Sequence, residues 1–201
     1  MIFTGLGVPS DVAKLLNALA LIAVDTVLAL AFIDQLWFSH LPCPLCILQR
    51  AGLTAAGFGL ALTILFGPKP SHYGMSILGA AVGADISIRQ ILDHIVPGTG
   101  SYGSAVLGLH LYTWAFIAFA LMIIGSAIML LDDRQFSRAE PISSRLKPLA
   151  LSAFVTFAAL AVCNVVSTVL ICGAGYCPEN PGGYLILNDN LRITTLFAGA
   201  L

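Results

Sequence analysis

The stretch Leu41-Pro42-Cys43-Pro44-Leu45-Cys46-Ile47-Leu48-Gln49-Arg50 places two cysteines around a proline at the mouth of an apolar run. Pro44 suits the first position of a helix, because the N–H that it lacks would be unpaired there in any case. Cys43 then lies at the cap and Cys46 in the first turn, where free N–H groups and the helix dipole stabilise a thiolate. Positions 43, 46 and 50 share one helix face, with Arg50 one turn below Cys46. The motif predicts an electron-transferring thiol pair above a cation.

The composition is that of an integral membrane protein. Of the 201 residues, 58% are apolar and 9% are charged, and the mean hydropathy is +0.94. The net charge is -1, and no cluster of lysines and arginines lies among aromatic residues, so nucleic-acid binding is excluded. The length accommodates about five spans of roughly 20 residues each, which predicts one all-α bundle without a separate soluble domain.

Five apolar runs mark these spans. They are predicted at 12–38, 45–66, 73–96, 105–131 and 148–171, and a tail follows at 172–201. The first run is longer than the apolar core of a secretory signal and carries Asp11 and Lys14 at its start, so we expect it to be retained. The tail is loop-like at 172–183, and 184–201 is expected to lie along the membrane interface.

Several polar residues interrupt the apolar runs. Asp85, Arg89 and Asp93 repeat every four residues in the third span. They form either an ion-pair ladder that faces other helices or one wall of a ligand cavity or proton route. Asp25 is expected to face a polar partner inside the bundle, and His110 is expected to be a hydrogen-bonded structural residue.

The distribution of positive charge orients the chain. Segment 132–147 holds four basic and three acidic residues, which is typical of a cytoplasmic loop. Counting spans from this loop places Cys43/Cys46 and Cys172/Cys177 together on the opposite side, which is periplasmic in a bacterial cell. Cys163 falls inside the fifth span as an apolar filler. Two close cysteine pairs on one face of a membrane can exchange disulfides.

A thiol pair that oxidises other thiols must itself be reoxidised, and the lipid-soluble two-electron acceptor of a membrane is a quinone. Arg50 can hydrogen-bond a quinone carbonyl and stabilise the anionic reduced form. The spacing also allows a four-cysteine zinc site or a structural disulfide, but a saturated zinc site gives Arg50 no role. Two further alternatives are a channel or assembly subunit with structural disulfides, and the same dithiol relay exporting reductant.

The residues Trp37-Phe38, His40, the motif from Pro42 to Arg50 and the turn Gly67-Pro68-Lys69-Pro70 resemble the disulfide bond formation protein B family. Leu107-Gly108-Leu109 with Trp114 resembles the start of that family's last span, so the likeness covers about residues 15–131. The resemblance implies a four-helix core, here joined by a fifth transmembrane helix. It also implies that a periplasmic DsbA-like thioredoxin-fold protein is reoxidised with ubiquinone or menaquinone.

The same resemblance implies roles for single residues. Cys46 resembles the quinone-proximal cysteine, Cys43 its partner and Arg50 the quinone-contacting arginine, while His94 is similar in place to a quinone-side histidine. These assignments predict a multi-pass protein of the bacterial inner membrane that works on its periplasmic side.

One departure from the family pattern concerns the second cysteine pair. The family carries it between the third and fourth spans, whereas residues 97–104 contain no cysteine. From the span count, we expect Cys172 and Cys177 to replace it as the shuttle. The alternative is that this pair is a permanent staple of the tail and that the partner reacts directly at Cys43.

Overall fold

Five helices make up the bundle in the computed structural model, which describes residues 10–96, 98–100, 105–136, 143–173, 175–179 and 181–187, without the side chains of Ser10 and Arg134. The helices are α1 (Ser10–Trp37), α2 (Pro44–Phe66), α3 (Pro70–Asp93), α4 (Leu111–Leu130) and α5 (Lys147–Cys172). Each is long and apolar enough to cross a membrane, which confirms the predicted all-α membrane bundle. A 3₁₀ turn, Asp133–Phe136, follows α4.

The fourth span starts later than the predicted residue 105. Ala105–Val106 (β1) and Leu109–His110 (β2) pair as a two-residue antiparallel hairpin, and α4 begins only at Leu111. The turn between the strands has positive φ at Leu107 (52°) and Gly108 (80°), which a helix cannot contain. Of the tail, residues 188–201 lie outside the described residues, and so does most of the predicted interfacial segment.

Small residues let the helices of the core approach closely. A Cβ added to Gly52 of α2 would lie 2.9 Å from the Gly83 Cα of α3, and the fully buried Phe119 ring of α4 packs over Gly83. On the other side, α5 contacts α1 and α2, and its Phe157 ring packs over Gly57. Close backbone approach is how helices associate where lipid supplies no hydrophobic drive. The result is a compact α2–α3–α4 unit with α1 and α5 alongside.

This packing overturns both interpretations of the polar stripe on α3. Asp85, Arg89 and Asp93 are exposed, and within the described part of the chain they form no salt bridge and line neither of the two main cavities of the bundle. The face of α3 that turns inward instead carries Gly83 and Ser87, and the Phe119 ring of α4 leaves no room for a side chain at Gly83.

Asp25 differs from its prediction in one respect. The residue is buried inside the bundle, with 6% of its surface exposed. Neither carboxyl oxygen, however, has a hydrogen-bond partner among the described residues, so the expected polar partner was wrong.

Candidate redox site

The thiol pair is held by the start of α2. Pro44 lies in the first turn as predicted, Cys43 is the cap residue, and the Cys43 sulfur accepts a hydrogen bond from the Cys46 N–H at 3.2 Å. The two sulfurs lie 2.6 Å apart as free thiols. The hydrogen bond with Cys46 and burial both raise the pKa of the Cys43 thiol, so the proton that the sulfurs share stays on Cys43. When the pair loses a proton, the thiolate is therefore expected on Cys46.

A cavity of about 400 Å³ opens beside Cys46. It lies between α1 and α4, with residues 40–42 and the β1–β2 turn over it, and its size is in the range of small-molecule sites. Most of its walls are apolar, including Val27, Leu30, Leu53, Leu111 and Leu121. Cys46 and Arg50 both line it, so the cavity joins the sulfur, the cation and a lipid-like wall in one place.

Arg50 is a buried cation, with 7% of its surface exposed. Its Nη1 donates to Gln35 Oε1 at 2.6 Å and its Nη2 to the Ala31 carbonyl at 2.8 Å, and the guanidinium lies 5.1 Å from the centre of the Phe32 ring. Within the described residues no carboxylate lies within salt-bridge distance of it. Since a guanidinium has five N–H donors, these two bonds leave three for another acceptor. The site is therefore complementary to an anionic oxygen.

His94 lies next to this cavity without lining it. Its Nδ1 is 2.8 Å from the Gln90 carbonyl oxygen, and its ring stacks on Tyr112 with centroids 5.5 Å apart. Tyr112 does line the cavity, and the His110 ring stacks on it at 5.3 Å. The predicted role of His94 towards a quinone would therefore pass through Tyr112.

The second cysteine pair lies at the same end of the bundle. Cys172, the last residue of α5, is joined to Cys177 by a disulfide and is buried. Cys172 forms a cluster with Ile47 of α2 and Ile171, and Leu41 packs against the same cluster. Because Leu41 and Ile47 flank Cys43 and Cys46 in the sequence, the fold brings together the two pairs that the span count placed on one side.

Three buried glutamines complete the site, and the sequence reasoning missed them. Gln35 joins Arg50 to the fifth helix and the tail, since its Nε2 donates to Ser167 Oγ at 2.8 Å and to Tyr184 OH at 3.1 Å. Gln90 contacts both sulfurs of the thiol pair, and Gln49 bonds to Gln90. The signal that could have found them is the cost of an amide in an apolar span, which is reduced only by a hydrogen-bond partner.

Comparison with known proteins places most of this site in a recognised segment. The family model described as disulfide bond formation protein DsbB matches residues 13–99, which include Cys43, Cys46, Arg50 and His94 but not the second cysteine pair. No solved structure matches the chain.

Curated relatives match over a similar fraction of the chain. The disulfide bond formation protein B of Chromobacterium violaceum is 37% identical over 71 residues, 33% of this chain and 43% of that protein. The proteins of that name from Xanthomonas euvesicatoria pv. vesicatoria and Xanthomonas axonopodis pv. citri are each 36% identical over 84 residues, 39% of this chain and 49% of theirs. The chain thus spans about half the length of the curated relatives it matches.

Proposed function

We propose that the whole chain is a membrane thiol:quinone oxidoreductase, because residues 13–99 match the family model of disulfide bond formation protein DsbB and curated proteins of that name are similar to part of the chain. It reoxidises a periplasmic DsbA-like thioredoxin-fold protein and passes the electrons to ubiquinone or menaquinone. The observation that carries this proposal is that Cys46 and the buried Arg50 line the same apolar cavity.

The residues of the cavity fit a quinone. Its apolar walls suit a ring with an isoprenoid chain, and Arg50 has N–H donors to hold a carbonyl oxygen. Among the described residues Arg50 hydrogen-bonds only to neutral acceptors, and a buried cation of this kind stabilises negative charge arriving on such an oxygen. When bound, the quinone supplies a two-electron, two-proton acceptor.

The cysteines carry the electrons to this cavity by thiol–disulfide exchange. A donor thiolate attacks one sulfur of the Cys172–Cys177 disulfide, which breaks as a mixed disulfide forms. The donor's second thiolate then attacks the donor sulfur of the mixed disulfide and releases the tail cysteine, which leaves the donor oxidised and the tail pair reduced. The tail pair reduces a Cys43–Cys46 disulfide in the same way. Each exchange moves two electrons and leaves the number of disulfides unchanged, and Cys46 ends beside the cavity wall.

One observation favours the alternative in which the tail disulfide is a permanent staple. Cys172 is 5% exposed and packs against Ile47 and Ile171, so this sulfur is shielded from a soluble donor. In that case the donor would react directly at the Cys43–Cys46 pair, and the fifth helix would only support the site.

The function is tested with purified protein in lipid nanodiscs, a reduced thioredoxin-fold donor, and ubiquinone or menaquinone followed by absorbance. We expect turnover in the wild type and in Cys163→Ser, because Cys163 is far along α5 from both pairs, and none in Cys46→Ser. A wild-type protein that consumes neither quinone would end the proposal.

The relay and the staple are separated by a variant in which Cys172 and Cys177 are both serine. The relay predicts that turnover with the protein donor is lost while dithiothreitol still reduces the Cys43–Cys46 pair. The staple predicts that turnover with the protein donor persists in a less stable protein, because an internal disulfide typically contributes about 2–4 kcal/mol.

The proposed orientation has its own measurement. Both cysteine pairs should face the periplasm of the bacterial inner membrane, as the basic 132–147 segment indicates. After mild reduction of intact cells, a membrane-impermeant maleimide should label Cys177. Labelling only after the inner membrane is opened would contradict this orientation.

A further inference from the structure

The side chain of Gln90 is fully buried at the thiol pair. Its Nε2 lies 3.4 Å from the Cys43 sulfur and 3.4 Å from the Cys46 sulfur, and none of the residue's surface is exposed. An amide nitrogen carries two N–H groups, so one is available for each sulfur. Gln49 Nε2 donates to Gln90 Oε1 at 2.7 Å, which turns the nitrogen of Gln90 towards the cysteines.

We propose that Gln90 is the thiolate-binding residue of this redox pair and makes the Cys43–Cys46 disulfide a better electron acceptor. The proposal deepens the function proposed above, because it assigns a role in the same site to a residue on α3. It needs only that the pair cycles between disulfide and dithiol, whichever quinone is used.

The effect follows from the difference between the two redox states. A disulfide sulfur is a weak hydrogen-bond acceptor, whereas a thiolate is charged and accepts strongly. The two N–H groups of Gln90 therefore stabilise the reduced pair more than the oxidised pair. Because Gln90 and Cys43 are buried, little water is available to replace these hydrogen bonds.

The same bond assists each exchange step. When an incoming thiolate attacks one sulfur of the Cys43–Cys46 disulfide, the S–S bond breaks and a mixed disulfide forms. The electron pair of the broken bond remains on the other sulfur, which leaves as a thiolate. Gln90 is within reach of either sulfur, so it can stabilise the leaving thiolate whichever cysteine is attacked.

The test is the reduction potential of the Cys43–Cys46 pair in the full-length protein, equilibrated in dithiol buffers and read by alkylation and mass spectrometry of the peptide that holds both cysteines. Gln90→Leu keeps a similar volume and removes both donors. Loss of one hydrogen bond to a charged group changes an equilibrium constant about tenfold. We therefore expect the equilibrium constant for reduction of the disulfide to fall about tenfold, which makes the potential about 30 mV more negative.

Two further variants keep the result interpretable. Ser87→Ala alters another buried polar side chain of α3, whose hydroxyl bonds to the Gly83 carbonyl of its own helix, and should leave the potential unchanged. Gln90→Glu keeps the shape and places a carboxylate beside the sulfurs, so it should move the potential in the same direction as leucine. If the leucine variant does not fold, the potential of Gln90→Glu decides the test instead.

An unchanged potential in Gln90→Leu, or in Gln90→Glu where leucine fails to fold, would overturn the role of Gln90, even in a protein that reduces quinone. A shifted potential in a protein whose wild type consumes no quinone would support the role of Gln90 and remove the quinone reductase proposal. The two proposals therefore fail separately.

Discussion

Substitution of Arg50 separates the charge of the site from its geometry. Arg50→Met keeps an unbranched side chain and removes the charge together with both hydrogen bonds to α1, at 2.6 and 2.8 Å. Arg50→Lys keeps the charge but loses the forked donor that reaches Gln35 and the Ala31 carbonyl together. If the cation stabilises a reduced quinone oxygen, the methionine variant should be much more impaired than the lysine variant.

The size of the effect follows from the burial of the guanidinium. A hydrogen bond from a charged donor is worth about 1.5–3 kcal/mol, and about 1.4 kcal/mol is a factor of ten in rate. We therefore expect kcat/KM for the quinone to fall about 10- to 150-fold in Arg50→Met, and by about tenfold or less in Arg50→Lys. The exchange between the donor and the cysteines should change less, because the hydrogen bonds of Arg50 run to α1 and the guanidinium acts on the sulfurs only through its charge.

The assay combines steady-state quinone absorbance with a quinone-free measurement of how fast the donor reduces the cysteines. Thermal unfolding of each variant in nanodiscs serves as the control, since Arg50→Met also leaves the Gln35 oxygen without its donor. An unchanged kcat/KM for quinone in a folded Arg50→Met protein would refute the reasoning. An equal loss in both assays would instead identify Arg50 as a structural support of the thiol pair.

The other predictions concern packing and the thiols. Gly83→Ala should lower the free energy of unfolding by about 1–3 kcal/mol, because its methyl group would overlap an aromatic ring of α4. Gly74→Ala, whose methyl group would meet nothing within 4 Å, should be tolerated, and chemical denaturation compares the two variants. Limited iodoacetamide treatment of the reduced protein near neutral pH should modify Cys46 before Cys43, whose pKa is raised, as peptide mapping would show. Gln35→Leu should cost about 1–3 kcal/mol in the same denaturation experiment, because a buried arginine loses an acceptor.

The parts of the fold that depend on local rules could be predicted from the sequence. The proline at position 44 and the i, i+3, i+7 spacing of Cys43, Cys46 and Arg50 are properties of one helix, and the structure keeps both. The start of α4 could not be predicted, because Leu107 adopts a positive φ that no leucine in an apolar run signals. A continuous hydrophobic stretch contains no information about where a hairpin replaces the first turns of a helix.

The side chains that contact the Cys43–Cys46 pair depend on which helix faces meet, and packing decides which faces meet. On α3 the four-residue spacing of the charges predicted that the charged face turns inward, which is wrong. The face that packs against α4 is the one that carries Gly83, because the Phe119 ring lies directly over this glycine. With α3 in this orientation, the side chain of Gln90 reaches the sulfurs, although the preceding residue, Arg89, is exposed. The placement of the cysteine pair at the start of α2 could therefore be predicted from ten residues, but its hydrogen-bond donors required the arrangement of three helices.

The fifth helix and the tail contact the segment 13–99 at two points of the site. At the sulfur end, Cys172 packs against Ile47, and at the arginine, Gln35 accepts from Arg50 while donating to Ser167 and Tyr184. The oxygen of Gln35 thus accepts from Arg50, and its nitrogen donates to α5 and the tail. Because one amide serves both sides, a change in the tail that displaces Tyr184 alters the bonding of the group that positions Arg50. The added helix and tail therefore support the redox site even if the tail disulfide never exchanges.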